Sequence, residues 1–166
     1  MRWKNKWARP PIVGVVGSGK EESGGLAYSL GRRIAENGFI LLTGGGLGVM
    51  EEASRGTHEA GGLVIGVLPN ERKYPIRGYP NKYVDIPIYT GLSDARNAIN
   101  AKTSDVIVAL KGGAGTLSEI ALAIKSGTSV IGLDCPTIDV ETDGLFVRVS
   151  TVEEAIKEVK KLLKST

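Results

Sequence analysis

The chain has 166 residues, 42% of them hydrophobic and 23% charged, which is the make-up of one ordinary globular domain. Its formal charge is +3, with 21 basic and 18 acidic residues, one histidine and one cysteine. That excludes an internal disulfide framework and leaves a histidine-rich metal site or a Ser-His-Asp triad dependent on His58 alone, so neither is expected.

The basic residues gather at both ends (Arg2, Lys4, Lys6, Arg9, then Lys157, Lys160, Lys161, Lys164). Apolar and acidic residues interrupt both runs and no recognition module is visible, so nucleic acid is not an expected partner. Apolar stretches fall short of the ~18 residues that suggest a membrane span. The opening MRWKNKWARPP lacks the apolar segment of a secretory signal, and a cytoplasmic protein is expected.

Residues 1–10 read as an arm bearing Trp3 and Trp7, and residues 1–166 as one domain. Ile12-Val13-Gly14-Val15-Val16 predicts a buried strand ending in Gly17-Ser18-Gly19. Leu26, Leu30 and Ile34 mark one face of a helix over 23–37, which Asn37-Gly38 stops. Phe39 to Leu42 is the second strand, followed by Thr43-Gly44-Gly45-Gly46 and a helix with Met50, Ala53 and Thr57 on one side. Leu63 to Leu68 is the third strand. From Pro69 to Pro87 the pattern gives way to prolines, tyrosines and charges, a long surface excursion of the kind that often carries function, with a short strand over Tyr83–Ile86.

A helix over Leu92–Lys102 precedes the strand Val106–Leu110 and the turn Gly112-Gly113-Ala114-Gly115-Thr116. Leu117, Ile120, Ala121 and Ile124 then share a helical stripe. Strands follow over Ser129–Leu133 and Leu145–Val149, and Val152, Ala155, Ile156, Val159 and Leu163 mark a closing helix with Thr151 and Glu154 as its capping box. Apolar strands alternating with amphipathic helices predict an α/β fold: a Rossmann-like, doubly wound, mainly parallel sheet with helices on both faces. Cys135 reads as a small core or loop residue.

In such a sheet, ligands collect at the carboxyl ends of strands, where strand order reverses. Three strands here run into glycine turns, each followed by a helix whose free N–H groups and dipole attract an anion. The turns at Gly17-Ser18-Gly19, Gly44-Gly45-Gly46-Leu47-Gly48 and Gly112 to Thr116 therefore read as a composite phosphate site, although tight connections need glycine on structural grounds as well. Neither a dinucleotide-binding Gly-x-Gly-x-x-Gly nor a P-loop Gly-Lys-Ser/Thr is present. Glu119 is either a capping acid for Thr116 or a ligand-facing carboxylate. Arg96 is either a ligand anchor or the partner of Asp94 or another surface acid.

Gly44-Gly45-Gly46-Leu47-Gly48-Val49-Met50-Glu51 with Arg55-Gly56 resembles the first signature of the LOG-like proteins, often mislabelled "lysine decarboxylase". Lys111-Gly112-Gly113-Ala114-Gly115-Thr116-Leu117-Ser118-Glu119 resembles their second, Pro-Gly-Gly-x-Gly-Thr-x-x-Glu. The resemblance runs from about Val13 to Leu133. It implies a homo-oligomer, dimer or higher, and a ligand-binding set of Gly17, Ser18, Gly44, Gly45, Gly46, Gly48, Met50, Lys111, Gly112, Gly113, Gly115 and Thr116. Arg96 and Glu119 match the catalytic pair of the family's phosphoribohydrolases, which cleave the N-glycosidic bond of nucleoside 5′-monophosphates.

Two departures, Asn97 where the family has lysine and Lys111 where it has proline, look more like the molybdenum-cofactor-carrier branch, which binds a phosphorylated pterin without turning it over. The resemblance thus implies a carrier of a nucleotide or molybdopterin-type ligand, with no cofactor required, and the hydrolase as the alternative. Lys111 either adds charge beside the ligand or faces solvent. Pyridoxal-phosphate decarboxylation lacks support, since no partner for the cofactor's ring nitrogen is evident.

Overall fold

The computed structural model describes residues 9–165, so Trp3 and Trp7 lie outside the described residues. Seven strands form one sheet: β1 (Ile12–Val16), β2 (Ile40–Thr43), β3 (Val64–Leu68), β4 (Ile86–Tyr89), β5 (Val106–Ala109), β6 (Ser129–Leu133) and β7 (Phe146–Val149). Their order is β4-β3-β2-β1-β5-β6-β7, and every pairing is parallel. The interior strands β1 and β5 are buried at every position, which is why they read as unbroken apolar runs.

Five helices cover the sheet: α1 (Leu26–Glu36), α2 (Val49–Glu59), α3 (Asn97–Thr103), α4 (Ala114–Lys125) and α5 (Val152–Lys164). Alternation along the strands sorts the core into two layers. Val13, Val15 and Val108 pack with Leu30, Ala53 and Ile156 of α1, α2 and α5. Ile107, Ala109 and Val130 face the other way, against Ala101 of α3 and Ile120 of α4. The doubly wound α/β architecture expected from the sequence is the one observed.

The differences from expectation are local. α1 begins at Leu26 instead of residue 23, because Gly24 and Gly25 take positive φ (68° and 93°) and Ser23 Oγ accepts the Ala27 N–H (2.7 Å). The fourth strand spans Ile86–Tyr89, not Tyr83–Ile86. Residues 81–84 form a turn instead, in which Asn81 Oδ1 accepts the Tyr83 N–H (3.1 Å) and Asn81 O accepts the Val84 N–H (3.2 Å). β4 tolerates Pro87 because it is an edge strand. The helix expected over 92–102 is a 3-10 turn, Ser93–Arg96, running into α3. Thr151 Oγ1 caps α5 by accepting the Glu154 N–H (3.1 Å), while Glu154 reaches back to the Ser150 N–H (2.8 Å).

The chain winds outward from β1 to β4 and then returns to lay β5 against the free side of β1. Strand order therefore reverses between β1 and β5, whose last residues, Val16 and Ala109, are register partners. The turns after these strands meet directly, since the Ser18 N–H donates to Lys111 O (2.8 Å).

Candidate functional site

A cavity of about 360 Å³ opens at this reversal point. Because all strands are parallel, the turns after β1, β2 and β5 lie at one end of the sheet. Of the residues singled out from sequence, Gly17, Ser18, Met50, Arg96, Gly113, Gly115, Thr116 and Glu119 line the cavity. Gly44, Gly45, Gly46, Gly48, Lys111 and Gly112 do not line it. Lys111 Nζ is paired with Glu21 Oε2 (3.0 Å).

The glycines divide by what surrounds them. A Cβ on Gly17 would fall 2.6 Å from Val49 Cγ1, on Gly44 2.8 Å from Met50 Sδ and on Gly46 2.7 Å from the Tyr79 ring. Gly48 has φ +61° and abuts the Ser18 carbonyl, and Gly112 is covered by the Thr116 side chain. These five let the chain pack closely. Gly113 and Gly115 differ: a Cβ on either would meet no protein atom within 4 Å, and neither has a positive φ. Neither packing nor backbone conformation accounts for a bare position there, and both face the cavity.

The donors divide as well. Gly113 is the N-cap of α4 without a side-chain cap, and the first bond into the helix is Leu117 N–H to Gly113 O (3.0 Å). The N–H groups of Ala114, Gly115 and Thr116 thus have no partner within the helix. In the turn after β1, by contrast, the Ser18 N–H, carbonyl and Oγ lone pairs are already bonded within the protein. The Oγ accepts from the Lys20 and Glu21 N–H groups (both 3.1 Å), and the carbonyl accepts the Val49 N–H of α2 (2.9 Å). Glu52, buried on α2, holds the following loop by accepting from Ser23 N–H (2.7 Å), Ser23 Oγ (2.9 Å) and Gly25 N–H (2.6 Å). The first and second turns are scaffolding for one another, and the start of α4 presents the free donors.

Arg96 and Glu119 form the floor, 7% and 8% exposed. Arg96 Nη1 donates to Asn97 Oδ1 (2.8 Å), Asn97 Nδ2 to Ser118 Oγ (3.1 Å), and Ser118 Oγ to Gly115 O (2.7 Å). This relay ties the guanidinium to the first turn of α4. Its Nε is buried with no partner. Among the described residues no carboxylate makes an ion pair with Arg96, so the pairing with Asp94 offered by the sequence is not formed.

Glu119 does not cap α4, because the helix already starts at Ala114 and Glu119 lies in its second turn. Its Oε1 instead accepts from Asn100 Nδ2 (2.9 Å). Burial pushes the carboxyl up to about 7, and the Asn100 hydrogen bond and the Arg96 charge pull the other way.

Gly19, Lys20, Tyr79, Asp94, Asn97 and Ala114 complete the lining. Gly19 and Ala114 belong to glycine turns that the sequence assigned to the site, whereas Lys20, Tyr79, Asp94 and Asn97 were not assigned to it. Lys20 adjoins the first glycine turn and was within reach of that argument. Tyr79 had no local signal, because its place depends on Asn81, whose N–H and Nδ2 donate to the carbonyls of Gly45 and Gly46 (both 2.8 Å).

Molybdenum-cofactor proteins and a phosphoribohydrolase are among the known proteins to which this chain is similar. The molybdenum cofactor binding protein of Rippkaea orientalis superimposes with a TM-score of 0.82 at 40% identity, over 93% of this chain and 98% of that one. The Moco carrier protein of Chlamydomonas reinhardtii gives 0.81 at 42% identity, over 95% and 100%. A cytokinin riboside 5′-monophosphate phosphoribohydrolase of Oryza sativa subsp. japonica is 35% identical over 96 residues, 57% of this chain and 38% of that protein. This chain therefore spans well under half the length of that relative. Residues 10–163 match the SLOG cluster4 family model, and the chain belongs to that family.

Proposed function

We propose that this protein binds a phosphorylated, nucleotide-like small molecule and serves as its carrier. The phosphate sits at the start of α4, against the N–H groups of Ala114, Gly115 and Thr116, in the space left by the bare Gly113 and Gly115. The remainder of the ligand lies over Arg96 and Glu119 toward Tyr79. One observation carries this reading: Arg96 is buried beside the cavity with its Nε unbonded and, among the described residues, no carboxylate within ion-pairing distance. A buried charge ordinarily has a partner, and an anionic guest supplies one. The likeness to molybdenum-cofactor binding and carrier proteins, over more than nine-tenths of the chain, supports a molybdopterin-type cargo.

Native mass spectrometry of freshly purified protein, with a thermal-shift panel of nucleotides, pterin phosphates and phosphosugars, tests the proposal. The expected result is a co-purifying or stabilising phosphorylated ligand. Failure of every member of the panel would contradict it.

The second reading, phosphoribohydrolase, is favoured by the position of Glu119, whose carboxyl lies in the cavity with the phosphate cradle at its edge. There it would stabilise positive charge developing at the sugar C1′ as the C1′–N bond breaks, with water supplying the new C1′–O bond and the proton taken by the base. Release of ribose 5-phosphate from nucleoside monophosphates, abolished by Glu119→Gln, is the result that would decide for the enzyme.

A further inference from the structure

Part of the cavity lining comes from the 69–85 excursion and the turn before α3, and its chemistry differs from that of the glycine turns. Asn81 is buried and pins the 69–85 excursion to the turn after β2 through its two bonds to the Gly45 and Gly46 carbonyls. That clamp sets the Tyr79 ring against Gly46 on one side, with the Arg96 guanidinium 5.7 Å from the ring centroid. The ring is half-buried and lines the cavity. Asp94 lines it too. It follows Ser93, a non-glycine residue held at φ 51° with its N–H bonded to Pro69 O (2.9 Å). The Asp94 carboxylate is exposed and makes no hydrogen bond or ion pair among the described residues.

An aromatic ring and an unpaired acceptor lining the same cavity as the proposed phosphate site call for a particular guest. A phosphate cannot satisfy Asp94, since both are acceptors and both negative. A flat heterocycle can rest on Tyr79, and a carboxylate can accept two adjacent N–H donors from the edge of such a ring. We propose that Tyr79 and Asp94 are specificity-determining residues. Tyr79 supports the face of the ligand's ring, and Asp94 selects rings with an amide N–H beside an exocyclic amino group, the edge shared by guanine and pterins. This inference rests on the phosphate site proposed above and names the class of ring attached to that phosphate.

The test is calorimetric titration of the full chain with guanosine 5′-monophosphate, inosine 5′-monophosphate and ribose 5-phosphate. Inosine monophosphate lacks only the exocyclic amino group, and ribose 5-phosphate lacks the ring. The guanine nucleotide should bind about tenfold or more tightly than the inosine nucleotide, the worth of one hydrogen bond to a charged group. Asp94→Asn should collapse that ratio toward one. Tyr79→Ala should weaken both nucleotides by about tenfold, the scale of one lost base–aromatic stack.

Equal binding of the two nucleotides by the unaltered protein would overturn the inference and leave the phosphate site standing. So would a loss in either variant that falls equally on ribose 5-phosphate. Failure of all three compounds to bind would overturn the phosphate site and this inference together.

Discussion

Arg96→Met should weaken binding of a phosphorylated ligand by two to three orders of magnitude while leaving the unliganded protein close to its original stability. The two halves of this result have one cause. In the empty protein the guanidinium is desolvated, its Nε is unbonded, and among the described residues its only hydrogen-bonded side chain is Asn97. An imperfectly paired buried charge carries a desolvation penalty that an apolar side chain of similar volume does not incur.

On the proposed reading the same buried guanidinium pairs with the anion of the bound ligand, and truncating one member of a buried hydrogen-bonded charge pair costs roughly 2–5 kcal/mol. Arg96→Lys should restore little, because an ammonium does not reproduce the planar fork of donors. Chemical denaturation and ligand titration of the same samples separate the two effects. A variant that unfolds would show that Arg96 is structural, and one that binds normally would show that it does not touch the ligand.

Glu119→Gln should stabilise the protein at pH 8 and leave it unchanged near pH 4. The folded-state value of about 7 lies above the ordinary 4.5. Between these values the folded protein holds a proton that the unfolded chain has released. The contribution of Glu119 is therefore fully present below about 4.5 and is lost as pH rises to about 7. At ~1.4 kcal/mol per pH unit the loss is on the order of 3 kcal/mol. Glutamine keeps an acceptor for Asn100 Nδ2 and cannot ionise. Stability measured against pH should fall through this window for the unaltered protein and more gently for the variant. Parallel curves would place the carboxyl in a wetter environment than the structure shows.

Much of the fold could be read from the chain because periodicity and burial agree. Strands β1 and β5 are apolar throughout and lie in the middle of the sheet, and the stripe of α5 meets the core as its spacing implies. The errors fell where side chains bond to backbone. Ser23 delays α1, and Asn81 turns the residues expected to form a strand.

The site was legible in the same uneven way. Arg96 and Glu119 were visible through motif position, and both lie in the cavity. The glycines could not be told apart in sequence, because packing against Val49 or Met50 and openness to a guest leave the same residue type. Tyr79 comes from a segment with no periodic signal, and Asp94 from the expected 92–102 helix, where the sequence offered it only as a partner for Arg96; Asn81 and Ser93, at φ 51°, help place them at the cavity.

The claim on which the rest depends is that the free donors at the start of α4 receive the phosphate. Backbone amide chemical shifts, followed as ribose 5-phosphate is titrated into the isotopically labelled protein, examine it most directly. The largest changes should fall on Ala114, Gly115 and Thr116, with smaller ones at Gly19 and Lys20. Changes confined to another surface, such as the cleft beside Lys102 and Lys125, or no changes at all, would contradict the account.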